Sequence, residues 1–143
     1  MSADRLTTVY VPCDSAARAV GADEVAAAIA ACAQARGLPV RVVRNGSRGL
    51  FWLEPLVEVQ TAQGRVAYGP VGVDDVPSLF DAGFLDGATH PLGHGLTEEI
   101  PYLAKQERLT FRRMGITDPL SLEDYEAHDG WQGLRRALQL GGE

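Results

Sequence analysis

Two short runs of β-branched and aromatic residues, 7–11 (TTVYV) and 40–43 (VRVV), flank a stretch whose apolar residues recur at helical spacing. Residues 7–11 stop at Pro12 and have the composition of a short buried strand. Between residues 22 and 36, Ala22, Val25, Ala26, Ile29, Cys32 and Ala33 fall at offsets of three and four, with Asp23 and Glu24 at the positive end of the helix dipole. Gly37 closes that helix. The right-handed crossover then sets 40–43 parallel to 7–11. Residues 56–61 and 65–68 make an antiparallel hairpin around Ala62-Gln63-Gly64, with Val57 and Val59 on one face. Asp74 or Asp75 caps a short helix carrying Val76, Leu79 and Phe80, closed by Gly83. The order β-α-β, then β-β-α, is that of an α/β domain: a central mixed sheet with helices on its faces.

That order over residues 1–85 is the thioredoxin-like topology. Residues 86–96 (DGATHPLGHGL) are dense in Gly87, Pro91, Gly93 and Gly95, which suits a linker rather than a packed element. Beyond it, residues 97–143 read as a helical segment. Thr97 caps a helix with Glu98 and Glu99 in its first turn, and Ile100, Leu103, Phe111 and Met114 form a stripe before Gly115. Ser121 caps a short helix through Tyr125, and residues 131–140 make a last one with Leu134, Ala137 and Leu138 on one side. Helices this short need something to lie against.

Composition excludes several classes. The 143 residues suffice for one core, and no run of about 18 apolar residues exists to cross a membrane. The start, MSADRLTTVYVP, lacks the pattern of a secretory signal, so a cytoplasmic location is expected. Cys13 and Cys32 are too few for a disulfide framework. A net charge of −6, with Lys105 beside twelve arginines, disfavours nucleic-acid binding.

Few residues invite chemistry. Cys13 stands at a strand end, but it has no Cys-x-x-Cys partner and Asp14 beside it raises a thiol pKa. Cys32 lies on the apolar helix face and reads as core. His90 and His94 have the i, i+4 spacing of a metal pair, but Pro91, Gly93 and Gly95 preclude the helix that would bring their rings together. No phosphate-binding glycine loop and no nucleophile elbow occurs. Thus no catalytic and no metal-binding residue is expected. The segment NGSRGLFWLEP is less ordinary, with Arg48, Phe51 and Trp52 in a glycine-bearing loop. Either at least one of Phe51 and Trp52 folds back onto the core, or the three form a protein contact surface.

Residues 10–83 resemble the thioredoxin-like [2Fe-2S] ferredoxins. In that family a strand leads into C-x4-C followed by Gly-Ala, and C-x3-C precedes a Pro and a Val-rich hairpin ending in Tyr-Gly. Here Gly21-Ala22, Pro55, the Val57/Val59 strand and Tyr68-Gly69 keep their places. The ligands do not: Pro12 and Ala17 stand at the first pair, with Cys13 one residue out of register, and Ser47 and Phe51 stand at the second. A [2Fe-2S] cluster needs four protein ligands, so the resemblance implies a ferredoxin fold without its cluster. It also implies a cis bond before Pro55.

The stretch EIPYLAKQ, then GITDPLSLEDYEAHDGWQGLRRAL, resembles the opening of the flavin- and NAD-binding subunits of complex I and related dehydrogenases, with Asp129 and Trp131 as departures. The two parts in this order are similar to the β (diaphorase) subunits of soluble, molybdenum-containing NAD-dependent formate dehydrogenases. NAD-linked hydrogenases and quinone reductases are related. The resemblance implies that these residues form the N-terminal part of a longer subunit holding FMN, NAD and a [4Fe-4S] cluster. Its partners would be a thioredoxin-like [2Fe-2S] γ subunit and a molybdenum α subunit, and its own task would be structural docking through Arg48, Phe51 and Trp52. The alternatives are a stand-alone thioredoxin-like redox protein acting through Cys13, or a cluster carrier that combines Cys13 with a partner's ligands.

Overall fold

The computed structural model describes residues 6–141. Five strands form one sheet in the order β2-β1-β3-β4-β5, where β1 is Thr7–Tyr10, β2 Val40–Val43, β3 Val57–Thr61, β4 Gly64–Tyr68 and β5 Gly93–Leu96. β1 and β2 run parallel, with Thr7 opposite Val40, as the crossover rule requires. β3 pairs antiparallel with both β1 and β4, and β5 adds antiparallel to β4 with a register shift at Ala67/Tyr68. The alternation of strand side chains divides the sheet into two covered faces. Val9, Val57, Val59 and Tyr68 meet helices α1 (Ser15–Ala19), α2 (Ala22–Ala35) and α3 (Val76–Ala82) through Ala17, Val25, Ile29, Leu79 and Phe80. Phe84, fully buried, packs edge-on against both Tyr68 and Phe80.

The second face is covered by chain that the sequence alone does not assign to the sheet. Leu50, Leu53, Leu56, Ala67, Ile100 and Leu103 make a smaller core there. Part of the stretch expected to be an unpacked linker is β5: Gly93 and Gly95 pair through their backbones, and His94 Nε2 donates to Gly69 O at 2.8 Å. A Gly-His-Gly-Leu strand has no side-chain pattern to announce it, which is why composition misled.

The long helix expected from Thr97 to Met114 is also not formed. A 3-10 turn, Thr97–Glu99, is followed by α4 (Pro101–Ala104) alone. Ile100, which precedes Pro101, takes an extended ψ of 124° and separates the two, as the proline ring demands of its neighbour. Thr97 does not cap; its hydroxyl is buried without a hydrogen-bond partner. Downstream, α5 (Leu122–Ala127) begins at Ser121, whose Oγ accepts from Asp124 N as expected, and α6 (Gln132–Leu140) leaves Leu134 and Leu138 exposed.

Candidate functional site

The parallel strands β1 and β2 deliver two loops to the same end of the sheet. Val11 N donates to Val43 O at 3.0 Å and Cys13 N to Asn45 O at 2.9 Å, so the loops run side by side for several residues beyond the strands. Arg44 fastens them from outside, donating to Val11 O, to Pro12 O and to Asp23 Oδ1. Asp14 fastens them from inside. Its Oδ1 accepts from Ala16 N and Ala17 N as the N-cap of α1, while its Oδ2 accepts from Ser47 N at 2.6 Å. The Ser47 hydroxyl donates to Glu54 Oε1 at 2.6 Å and accepts from Gly49 N, and Glu54 Oε2 accepts from Leu56 N. The Glu54–Pro55 bond is cis, as the resemblance implies.

Of the clasp, Ser47 alone stands at a position that the resemblance assigns to a cluster ligand; the other three such positions hold Pro12, Ala17 and Phe51. Pro12 is buried between the loops, Ala17 is sealed in the core on α1, and Ser47 is buried in the Asp14–Ser47–Glu54 chain. Phe51 lies apart from them on the rim, 65% exposed. None of the four offers a thiolate, and the Ser47 hydroxyl is already engaged on both sides, so these residues do not fit an iron–sulfur cluster. Cys13 is half-buried, with Sγ 3.7 Å from Arg44 O. Burial pushes its thiol pKa up; Arg44 opposes this, while Asp118, Asp14 and Asp23 add to it. A thiol so held is a poor nucleophile at neutral pH. Among the described residues, no three His, Cys, Asp or Glu side chains are grouped to hold a metal ion. His90 Nδ1 accepts from Leu92 N and His128 Nδ1 meets Asp124 O, each within its own turn.

Burial also raises the Glu54 carboxyl pKa, against the lowering effect of the Ser47 and Leu56 hydrogen bonds. A carboxyl with a folded pKa above its unfolded value destabilises the fold once ionised. That penalty is absent below the usual carboxyl pKa of about 4.3 and complete above the folded pKa. In Glu54→Gln the amide oxygen still accepts from Leu56 N, and the amide N–H donates to Ser47 Oγ, which reverses that hydrogen bond without leaving a charge. The variant is therefore expected to gain on the order of 1 kcal/mol over the parent at pH 7 and to match it near pH 4 in denaturant titrations. A loss at pH 7 would show that the ionised carboxylate is required.

A wild-type thioredoxin-like [2Fe-2S] ferredoxin from Aquifex aeolicus superposes over 62% of this chain and 96% of its own, with 21% sequence identity and a TM-score of 0.52. The chain has the thioredoxin-like ferredoxin fold. A second structure of a thioredoxin-like [2Fe-2S] ferredoxin from the same organism covers 59% of this chain and 86% of its own, at 19% identity and a TM-score of 0.49. No family model and no curated protein match the sequence.

Within this thioredoxin-like scaffold, the proposed contact residues separate. Phe51 and Trp52 are both exposed, at 65% and 60%, so neither folds back onto the core. The 3-10 turn Phe51–Leu53 turns Leu53 inward instead, with its N–H on Leu50 O at 2.8 Å. Trp52 packs edge-on against Tyr102 of α4, the ring centroids 5.2 Å apart. Arg48 is no surface residue, contrary to expectation: it is 5% exposed, with Nη2 2.8 Å from Glu58 Oε1 and Nη1 2.8 Å from Glu98 Oε1. Glu58, 1% exposed, also meets Asn45 Nδ2 and Arg65 Nη1. Asn45 and Arg65 continue to Gly115 O, and Arg65 to Ile116 O, so the hub pins residues 115–116 across the second sheet face. Arg65 also lies over the Tyr10 ring, 3.4 Å from its centroid.

Sequence reasoning passed over Asp14 as a capping residue, although Asp before SAARA is an N-cap signal. It also passed over Glu54, Glu58, Asn45 and Arg65. A carboxylate at the alternate position of VEVQT reads as solvent-facing until the other face of the sheet is known to be covered.

Proposed function

We propose that this chain serves as a docking domain within an electron-transferring assembly, as the N-terminal part of the diaphorase subunit of an NAD-dependent formate dehydrogenase. In that assembly, electrons from formate, oxidised at a molybdenum centre in an α subunit, pass through iron–sulfur clusters to FMN and NAD. FMN, NAD and a [4Fe-4S] cluster would be held by residues beyond these, and a γ subunit would supply a [2Fe-2S] cluster. The fold supports an electron-transfer context. The observation that supports the docking role is the Asp14–Ser47–Glu54 clasp, which keeps the loops together and engages Ser47, while Pro12, Ala17 and Phe51 at the other three ligand positions offer no donor to a cluster. The exposed Phe51 and Trp52 are the surface on which such a domain would be held; Arg48 is removed from that set by its burial.

Co-expression of Phe51→Ala/Trp52→Ala with the α and γ subunits is expected to abolish co-purification, and anaerobic reconstitution of the parent chain with iron and sulfide to give no visible chromophore. Unchanged assembly would remove the two aromatics from docking. A brown product, paramagnetic on reduction, would end the cluster-free reading.

A further inference from the structure

Asn45 is the single asparagine of the chain, and a glycine follows it. In such a pair the glycine nitrogen, shielded by no Cβ, can attack the asparagine side-chain amide in water. Here the fold prevents the attack. Asn45 is 1% exposed, and its Nδ2 donates to Gly115 O at 2.7 Å and to Glu58 Oε2 at 3.3 Å. The Asn45 carbonyl accepts from Cys13 N and Ser47 N donates to Asp14, so the backbone on either side of Gly46 is held as well. The pair is also roofed by the same segment, since a Cβ placed on Gly46 would lie 3.7 Å from Gly115 N. Residue 115 thus both ties the side-chain nitrogen and excludes water from it.

That roof is held by polar contacts rather than by a core. Asn45 and Arg65 bind the Gly115 carbonyl, and Arg65 binds that of Ile116. The large apolar residues that lead into it bury little: Leu109 is 83% exposed, Phe111 62% and Met114 49%. A segment with few buried apolar contacts opens locally, at a lower free energy than the helices packed on the main core.

We propose that Asn45 is a deamidation site gated by residues 113–117, and that the carboxylate formed keeps this segment from closing again. When the segment lifts, Gly46 N gives its proton to hydroxide and attacks Asn45 Cγ. The N–Cγ bond forms, the Cγ–Nδ2 bond breaks, and Nδ2 leaves as ammonia. Water then opens the resulting succinimide at either carbonyl, which leaves aspartate or isoaspartate at position 45. The net change is amide plus water to carboxylate plus ammonium, with no electron transferred. The ionised product has no side-chain donor. Its oxygens would face the Gly115 carbonyl and the buried Glu58 carboxylate, so acceptor meets acceptor and two like charges share a site closed to water. Reclosure is opposed on both counts, and a transient opening becomes permanent.

Intact-mass spectrometry follows the reaction, because each conversion adds about one dalton. In mildly alkaline buffer, a synthetic peptide of residues 42–48 is expected to deamidate at least about tenfold faster than the folded parent. Gly115→Ala and Arg65→Ala loosen residues 115–116 by different means. Each is expected to raise the rate at least about threefold while α2 keeps its amide protection. Adding Gly46→Ala, whose Cβ meets only an ordinary contact, is expected to suppress the mass gain about tenfold, which excludes glutamine as its source. Asn45→Asp, made directly, is expected to show fast amide exchange at 113–117 with α2 still protected. A parent that reacts as fast as the peptide, or two loosened variants that react no faster than the parent, would overturn the proposal. So would a mass gain that survives Gly46→Ala, or Asn45→Asp with the parent's protection at 113–117. Loss of α2 protection together with the segment would assign the reaction to global unfolding and overturn it equally. No partner subunit enters these measurements, so their outcome and that of the co-purification test are read separately.

Discussion

Arg48→Ala is expected to lower folding stability by about 3–5 kcal/mol, the loss typical of breaking one side of a buried ion pair. The Arg48 side chain is 4% exposed and that of Glu58 1%. Truncation removes the 2.8 Å contact and leaves a buried carboxylate with only the longer approaches of Arg65 Nη1 at 3.5 Å and Asn45 Nδ2 at 3.3 Å. The bond to Glu98 adds little, because that carboxylate is 73% exposed and is screened by water. Arg48→Met/Glu58→Leu is expected to recover much of the loss, since it removes the charge together with its partner. Urea titration of the parent, Arg48→Met, Glu58→Leu and the double variant closes the cycle. A loss below about 1 kcal/mol for Arg48→Ala would mean that Arg65 alone satisfies Glu58.

Gly115→Ala is expected to detach the covering segment at a loss of at least about 2 kcal/mol. Gly115 has φ +78°, a conformation that a side chain disfavours by roughly 1–2 kcal/mol. A Cβ there would also collide with Arg48 Cδ and approach Nε to 2.9 Å. Arg48 cannot swing aside without releasing Glu58. The displaced carbonyl of residue 115 would in turn lose its bonds from Asn45 and Arg65. The effect is local: amide exchange is expected to speed up across residues 113–117 while α2 keeps its protection. Unchanged exchange there would show that the segment is held by other contacts.

The legible half of the fold is the half in which periodicity and burial agree. The apolar face of α2 lies against the sheet at the residues that its three-and-four spacing selects, and Val57 and Val59 share the face that strand alternation gives them. The second face could not be read in the same way. Glu58, Arg48, Asn45 and Arg65 are polar, and the code that places polar residues outward holds only until something else covers them. That cover comes from residues 93–117, whose attachment is made by backbone carbonyls at Gly115 and Ile116 and by the backbone pairing of β5. Carbonyls carry no sequence signature. Leu109, Phe111 and Met114 mimic a buried helical stripe, yet they face solvent, in a segment that Arg108 and Arg113 tie to the carbonyls of Arg48 and His128.

The clasp of Asp14, Ser47 and Glu54 also bears on how such a domain matures in the cell. Two loops tied by a carboxylate, a hydroxyl and amide groups close as soon as the polypeptide folds. Every bond in the clasp is made between protein atoms, so the clasp itself closes without inorganic sulfide or metal. Starving a host of iron is therefore expected to leave the yield of this chain unchanged on an immunoblot, while any neighbour that relies on metal to finish its shape is depleted.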